Sequence, residues 1–164
     1  MSFCGGNNNH QIFRFVACDF PCPVGTEPTG ISEFAYIYDT TTQLGIPFDG
    51  EVTFNTNGNI TPAGFVTHVP GTAPITINQP GTYLITYTVL AGAGAFAFAL
   101  YNGNNIIAGS GIGLISSDAS YSAQIITTLN ASDVLTLRNI NGSPVTLVSI
   151  FPIPSSSIVI LRIA

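Results

Sequence analysis

Residues 80–90 constrain the fold of this chain more than any other stretch. Apolar or aromatic side chains occupy every second position after the Pro80-Gly81 turn signal, and these positions are Tyr83, Ile85, Tyr87 and Val89. Threonine dominates the positions between them. A period of two with β-branched and aromatic residues is typical of a β-strand with one apolar face. We therefore predict a strand here, to which the other strands are added.

The rest of the chain repeats this pattern in short segments separated by turn signals. Asn57-Gly58, Pro70-Gly71, Asn102-Gly103 and the stretches 130–133 and 141–144 predict turns, and the two Asn-Gly pairs predict tight hairpins. No window shows a helical period. The segments predict an all-β sandwich or barrel. The candidate strands are 33–39, 48–54, 65–69, 74–77, 82–90, 95–101, 105–109, 121–129, 134–139, 146–151 and 157–163.

Charged residues are too few for an ordinary monomer. They make up 7% of the chain, against roughly 25% in typical soluble domains. There is no lysine, and the net charge is -5, so we expect no nucleic-acid partner. No apolar run reaches the roughly 18 to 20 residues of a membrane-spanning helix, and we expect no membrane partner. An obligate oligomer or a subunit of a larger assembly fits this composition.

The first thirty residues differ in composition from the body of the chain. We expect a flexible leader over 1–9, an isolated strand over 11–18 and a proline-punctuated linker over 19–30. The predicted organisation is an N-terminal arm and linker, 1–30, and a single domain, 31–164. The N-terminus has no positive region or long apolar run typical of a secretory signal. Either the protein is made without such a signal, or a signal has been removed.

The three cysteines all lie in the arm, at Cys4, Cys18 and Cys22. An odd number outside the body favours disulfides between chains rather than within one core. Free thiols in a reducing cell are the main alternative. A zinc site formed by the three cysteines with His10 is a third, although the spacing is irregular.

The arm also carries apolar side chains suited to contact with another subunit. These are Phe3, Ile12, Phe13, Phe15 and Val16. An extended segment of this kind can add to a sheet edge of a neighbour or insert into its oligomer. The alternative is an arm that folds back on its own body.

Seven residues of the body are predicted to form a trimer interface or the core. They alternate along three predicted strands and are Tyr83, Ile85, Tyr87, Phe96, Phe98, Ile158 and Ile160. The last strand is apolar on both faces, so we expect both faces to be covered.

Catalytic and metal sites find little support in the sequence. His10 and His68 are expected at surface or turn positions, and no nucleophile elbow or acid–base set occurs. The acids at 39, 49, 51, 118 and 133 are better explained as caps of turns than as calcium ligands. We expect no enzyme activity, no metal and no cofactor.

Three motifs together resemble the jelly-roll superfamily of tumour necrosis factor and the complement globular heads. They are Pro80-Gly81-Thr82-Tyr83 with Ile85 and Tyr87, the Asn102-Gly103 hairpin, and Leu129-Asn130-Ala131-Ser132-Asp133 leading into Leu135 and Leu137. The usual glycine before the acidic residue is Ser132 here. Within the superfamily, the chain is most similar to the C-terminal domain of the collagen-like exosporium glycoprotein and related spore-surface proteins.

This resemblance implies a β-sandwich of about ten strands that forms homotrimers, with an extended N-terminal arm. It also implies synthesis in the mother cell and a place on the spore surface. The function expected is a self-assembling structural subunit of the exosporium or of a spore appendage fibre, with other spore-surface proteins as possible partners. The alternative is a globular head that binds a ligand through loops such as 109–120.

Overall fold

The computed structural model describes residues 30–115 and 119–164, and the predicted all-β fold is confirmed there. These ranges contain thirteen β-strands and no helix. The strands are β1 Phe34–Asp39, β2 Gln43–Ile46, β3 Thr56–Thr61, β4 Val66–His68, β5 Ile75–Ile77, β6 Gly81–Ala91, β7 Phe96–Asn102, β8 Asn105–Ile106, β9 Ile112–Leu114, β10 Ala119–Leu129, β11 Val134–Asn139, β12 Val145–Leu147 and β13 Ser156–Arg162.

The strands form two antiparallel sheets that face each other as a jelly-roll sandwich. The larger sheet has the order β2-β12-β6-β13-β1-β3, with β10 paired to β6. The smaller sheet has the order β4-β5-β11-β7-β8, with β9 paired to β7. Strand β6 lies inside the larger sheet, with β10 paired along one edge and β13 along the other. The stretch that dominates the sequence is therefore also central in the fold.

The space between the sheets is filled by the apolar face of β6 and its counterparts. Tyr83, Ile85, Tyr87 and Val89 are fully buried, and the ring of Tyr83 stacks on Phe65 with centroids 5.9 Å apart. Burying a side chain of this size stabilises the fold by about 1.5–3 kcal/mol. This core explains how a domain of this size folds without internal disulfides.

Polar groups that enter the core have hydrogen-bond partners. The hydroxyl of Tyr87 donates to the carbonyl oxygen of Ser110, and Ser110 Oγ accepts from the amide of Leu100 at 3.0 Å. Asn139 donates through Nδ2 to the carbonyl oxygen of Ile46 at 2.8 Å. An unpaired buried group costs about 1–3 kcal/mol, so these bonds fix the loops to the sandwich.

One predicted strand is absent from the structure. Residues 48–54 contain only isolated bridges from Glu51 and Phe54, because Gly50 turns back to Pro47 and Asp49 has a φ of 59°. Val52 and Phe54 are nevertheless fully buried. Val52 donates its amide to Leu137 at 2.8 Å and Phe54 donates its amide to Thr72 at 3.0 Å. The stretch is therefore buried and hydrogen-bonded to two different segments without forming a continuous strand.

The predicted hairpin turn at Asn57-Gly58 is wrong, because both residues lie inside β3. Asn57 is held there by hydrogen bonds to His68, and a Cβ at position 58 would lie 2.9 Å from the carbonyl oxygen of Tyr36. Glycine is thus needed for close approach of β3 to β1. The hairpin at Asn102-Gly103 is confirmed, with Gly103 at a φ of 57°. Strands β2, β3 and β9 were not predicted.

A candidate self-association surface

The larger sheet has a second face, directed away from the core, which we call the outer face. Every second residue of the neighbouring strands β1, β13, β6 and β10 belongs to this face. The strands pair so that these residues form rows across the sheet, and one row is Tyr36, Val159, Thr86 and Gln124. The adjacent row is Phe34, Leu161, Leu84 and Ile126, and the next is Tyr38, Ser157, Thr88 and Ser122.

The outer face carries no charged side chain among the described residues. Three charged residues lie in or next to strands of this sheet but not on its outer face. Glu33, before β1, and Asp39, at the end of β1, alternate in step with buried Ala35. Arg162 on β13 alternates in step with buried Ile160. The other described charges lie in the β10–β11 turn or beside the smaller sheet. A second protein chain could therefore cover the outer face without burying a charge.

Two pairs of polar side chains on the outer face are hydrogen-bonded to each other. Thr88 Oγ1 and Ser122 Oγ lie 2.7 Å apart, and Gln124 Nε2 donates to Thr86 Oγ1 at 3.1 Å. Burial of hydroxyl and amide groups costs little when their hydrogen bonds are already made. These bonds lower the desolvation cost of an interface on this face.

The apolar part of the outer face remains open to solvent in the single chain. The side chain of Ile126 is 66% exposed and that of Tyr36 is 38% exposed. Tyr36 stacks on Tyr38 with centroids 5.0 Å apart and an interplanar angle of 24°. An uncharged, aromatic and aliphatic face of this kind is typical of the buried centre of a protein–protein interface.

Both arginines of the described ranges are paired with acids. Arg138 lies 3.4 Å from Asp49 and 3.2 Å from Glu51, with its guanidinium 4.8 Å from the centre of the Tyr101 ring. Arg162 pairs with Glu33 at 2.6 Å. In ranges 30–115 and 119–164, no cluster of histidine, cysteine or carboxylate side chains is suited to hold a metal ion.

Two tyrosines beneath this sheet have perturbed hydroxyls. Burial raises the pKa of Tyr87. Burial also raises the pKa of Tyr83, and the positive charge of Arg162 opposes part of that shift. Both hydroxyls donate to backbone carbonyl oxygens, Tyr83 to Gln79 at 2.5 Å. Their role is structural, since neither faces an open site.

The seven body residues predicted for a trimer interface or the core all lie in the core. Tyr83, Ile85, Tyr87, Phe96, Phe98, Ile158 and Ile160 are at most 2% exposed. The sequence analysis did not single out the outer face. Two sequence features could have indicated the outer face. One is the threonine-rich side of residues 80–90, and the other is the presence of apolar residues on both sides of the last strand.

His68 was expected at a surface or turn position, and this prediction is wrong. The side chain is 7% exposed and packs edge-on against Phe54. Its Nδ1 lies 2.5 Å from Asn57 Oδ1 and its Nε2 lies 3.0 Å from the carbonyl oxygen of Thr72. His68 thus joins β3, β4 and the following turn.

Of the acids considered for calcium, Asp49 and Glu51 pair with Arg138, whereas Asp39 and Asp133 cap local turns. Asp39 accepts from the amide of Thr41 at 2.6 Å, and Asp133 accepts from the amide of Asn130 at 2.8 Å. Asp118 lies outside the described residues, as does part of the candidate ligand loop 109–120. The rest of that loop is tied to the fold by β9 and buried Ser110.

The arm predictions lie outside the described residues. They concern Cys4, Cys18, Cys22 and His10, and the apolar residues Phe3, Ile12, Phe13, Phe15 and Val16. Disulfides, zinc binding and arm contacts therefore stay predictions.

A family model described as the BclA C-terminal domain matches residues 34–164. A search of curated protein sequences finds no significant match. Within the described ranges, the molecule has no helix long and apolar enough to cross a membrane.

Solved structures of low sequence identity share the fold. Eiger TNF from S. frugiperda is 16% identical with a TM-score of 0.57, and the match covers 82% of this chain and 94% of that chain. The globular domain of zebrafish complement 1qA is 15% identical with a TM-score of 0.56, covering 81% and 98%. PRD1 vertex protein P5 is 15% identical with a TM-score of 0.53, covering 83% and 100%. The jelly-roll fold expected from the resemblance is thus confirmed.

Proposed function

Because the chain belongs to the BclA C-terminal domain family, we propose that it is a structural subunit of a bacterial spore surface, which assembles through homotrimers of its jelly-roll domain. The proposed location is the exosporium or a spore appendage fibre. The proposed organisation is a connecting arm and linker, 1–30, followed by the domain, 31–164. The role is mechanical rather than catalytic.

The uncharged outer face is the observation that carries this proposal. It offers tyrosine, leucine, valine and isoleucine side chains in register, and two pairs of its polar side chains are already hydrogen-bonded to each other. A chain with 7% charged residues leaves much uncharged surface in water as a monomer. Burial of the outer face between three copies removes that surface at low desolvation cost.

The arm supplies the proposed link between trimers. Its apolar segment and three cysteines stand apart from a domain that has no cysteine of its own. We propose that Cys4, Cys18 and Cys22 form disulfides between chains, which would make the assembly resistant to heat and denaturant.

The oligomeric state of the full-length protein tests the proposed interface. Thr86→Asp places a carboxylate in the middle row of the outer face. We expect monomers by sedimentation velocity, because a buried unpaired charge costs several kcal/mol. Thr67→Asp is the matched control, since Thr67 is exposed on the other sheet and only accepts a hydrogen bond from Asn78 at 2.8 Å. Trimers that persist in Thr86→Asp would contradict the proposed interface.

Electron microscopy of the same full-length protein tests the assembly. We expect filaments or sheets that weaken on reduction and in a Cys4→Ser variant. Discrete trimers that reductant leaves unchanged would argue against a cross-linked structural subunit. They would favour the second candidate, a globular head that binds a ligand.

A further inference from the structure

The connection between β12 and β13 forms a small apolar hairpin, residues 150–153, which projects from one end of the sandwich. Ile150 and Ile153 bond to each other through both backbone amides, at 3.2 and 2.5 Å, and enclose Phe151-Pro152. Ser149 Oγ donates to the carbonyl oxygens of Thr40 at 2.8 Å and Ile153 at 3.0 Å. The apolar hairpin is therefore anchored to the body and has a defined shape.

The side chains of the apolar hairpin are directed into solvent. Phe151 is 96% exposed, Ile150 is 60% exposed and Ile153 is 49% exposed. Neither 148–155 nor the contacting segment 40–42 contains a charged residue. A preformed aromatic and aliphatic cluster has little ordering entropy to lose on binding, which favours its use as a contact site.

The described chain begins at the opposite end of the molecule. Gly30 lies three residues before Glu33, which pairs with Arg162 beside the first residues of β6. The last residue of β6, Ala91, pairs with Leu147, three residues before the apolar hairpin. The 11 residues of β6 separate the two ends, a distance of about 36 Å at ~3.3 Å per residue.

We propose that the apolar hairpin of one copy binds residues 12–16 of the arm of another copy, so that subunits join head to tail. This inference rests on the proposed assembly function and names the surface that receives the arm. Residues 12–16 carry Ile12, Phe13, Phe15 and Val16. They are the main apolar segment of the sequence before Gly30. Their one charge, Arg14, alternates with Phe13 and Phe15, so an extended segment can direct both rings to the hairpin and the guanidinium to solvent.

The reach of the linker favours a second copy over the same chain. Fully extended, the chain between Val16 and Gly30 spans about 46–50 Å. It would have to be stretched to about three-quarters of that length along the sandwich to bring residues 12–16 to their own hairpin, far beyond the roughly 20 Å expected of a flexible segment of this length. When two copies stack end to end, the start of one domain lies beside the hairpin of the next. The contact joins two different surfaces, so it does not close and propagates into a filament.

Photo-crosslinking in the full-length protein tests the contact. A benzoylphenylalanine replaces Phe151, and this protein is mixed before assembly with ¹⁵N-labelled chain that lacks the photoreactive group. We expect mass spectrometry to find crosslinks from position 151 to ¹⁵N peptides that contain residues 12–16. Crosslinks confined to the domain, or to the arm of the same chain, would overturn the inference.

Phe151→Ser provides a second measurement that does not depend on crosslinking. Because the ring is almost wholly exposed, we expect a folded trimer by sedimentation and a loss of filaments by electron microscopy. Ile106→Ser should assemble as the unchanged chain does. If Phe151→Ser forms normal filaments while Thr86→Asp abolishes trimers, the hairpin contact is refuted and the proposed function stands. If the unchanged chain forms neither trimers nor filaments, both are refuted.

Discussion

Removal of a single isoleucine from the outer face should weaken the trimer without weakening the fold. Ile126 is 66% exposed in the single chain, so about two-thirds of its side chain remains to be buried by association. Full burial of such a side chain is worth about 1.5–3 kcal/mol, which gives about 1–2 kcal/mol per subunit here. Three subunits contribute about 3–6 kcal/mol, or roughly 10² to 10⁴ in the association constant.

Sedimentation equilibrium of Ile126→Ala over a wide concentration range measures this effect directly. We expect the midpoint of dissociation to move to higher concentration, while urea denaturation of the dissociated chain is nearly unchanged. Ile106→Ala is the matched control, because Ile106 is 51% exposed but lies on the other sheet. Equal effects of the two substitutions, or no effect of either, would refute the assignment of the outer face as the interface.

Three further expectations concern stability, each measured by urea denaturation. Tyr87→Phe should cost about 1–3 kcal/mol, because the buried carbonyl oxygen of Ser110 loses its donor. Burial raises the pKa of Tyr87 above the ordinary 10.0, so stability should fall as the pH rises above 10 and fall less steeply in Tyr87→Phe; equal slopes would contradict this. Ser132→Gly should stabilise by up to about 1 kcal/mol, since its φ of 73° favours glycine; a loss would show that serine is not strained there. Glu33→Gln should cost less than about 1 kcal/mol, and the difference should shrink in high salt because the arginine partner on β13 is partly exposed.

The strands with strong side-chain alternation could be predicted from the sequence. β1 and β11 have bounds within one residue of the prediction, and β6 was placed correctly because its apolar and threonine-rich faces alternate without interruption. β3 was missed because Asn57-Gly58 is typical of a tight turn. Its strand conformation depends on two tertiary contacts, the bonds to His68 and the approach of Gly58 to Tyr36, which local sequence does not report.

The candidate surface was harder to predict than the fold. Alternation shows that a strand has two faces, but not which face meets the other sheet. On β13 both parities are apolar, with Ile158 and Ile160 buried and Val159 and Leu161 half-buried. Which of the two faces of β13 is buried depends on how the two sheets pack against each other. The pairing register of β13 with β1 and β6 then aligns the outward residues into one surface. The pinned shape of the apolar hairpin likewise depends on Ser149 and Thr40, which are distant in sequence.

The scarcity and pairing of basic residues also determine how the molecule meets proteases. A trypsin-like enzyme cleaves only after lysine or arginine, and the sequence has three arginines and no lysine. Arg138 and Arg162 lie within β11 and β13, where cleavage requires the strand to open first. The remaining position, Arg14, is in the predicted arm. Digestion of the unassembled, folded chain should therefore remove the first fourteen residues and leave the domain intact.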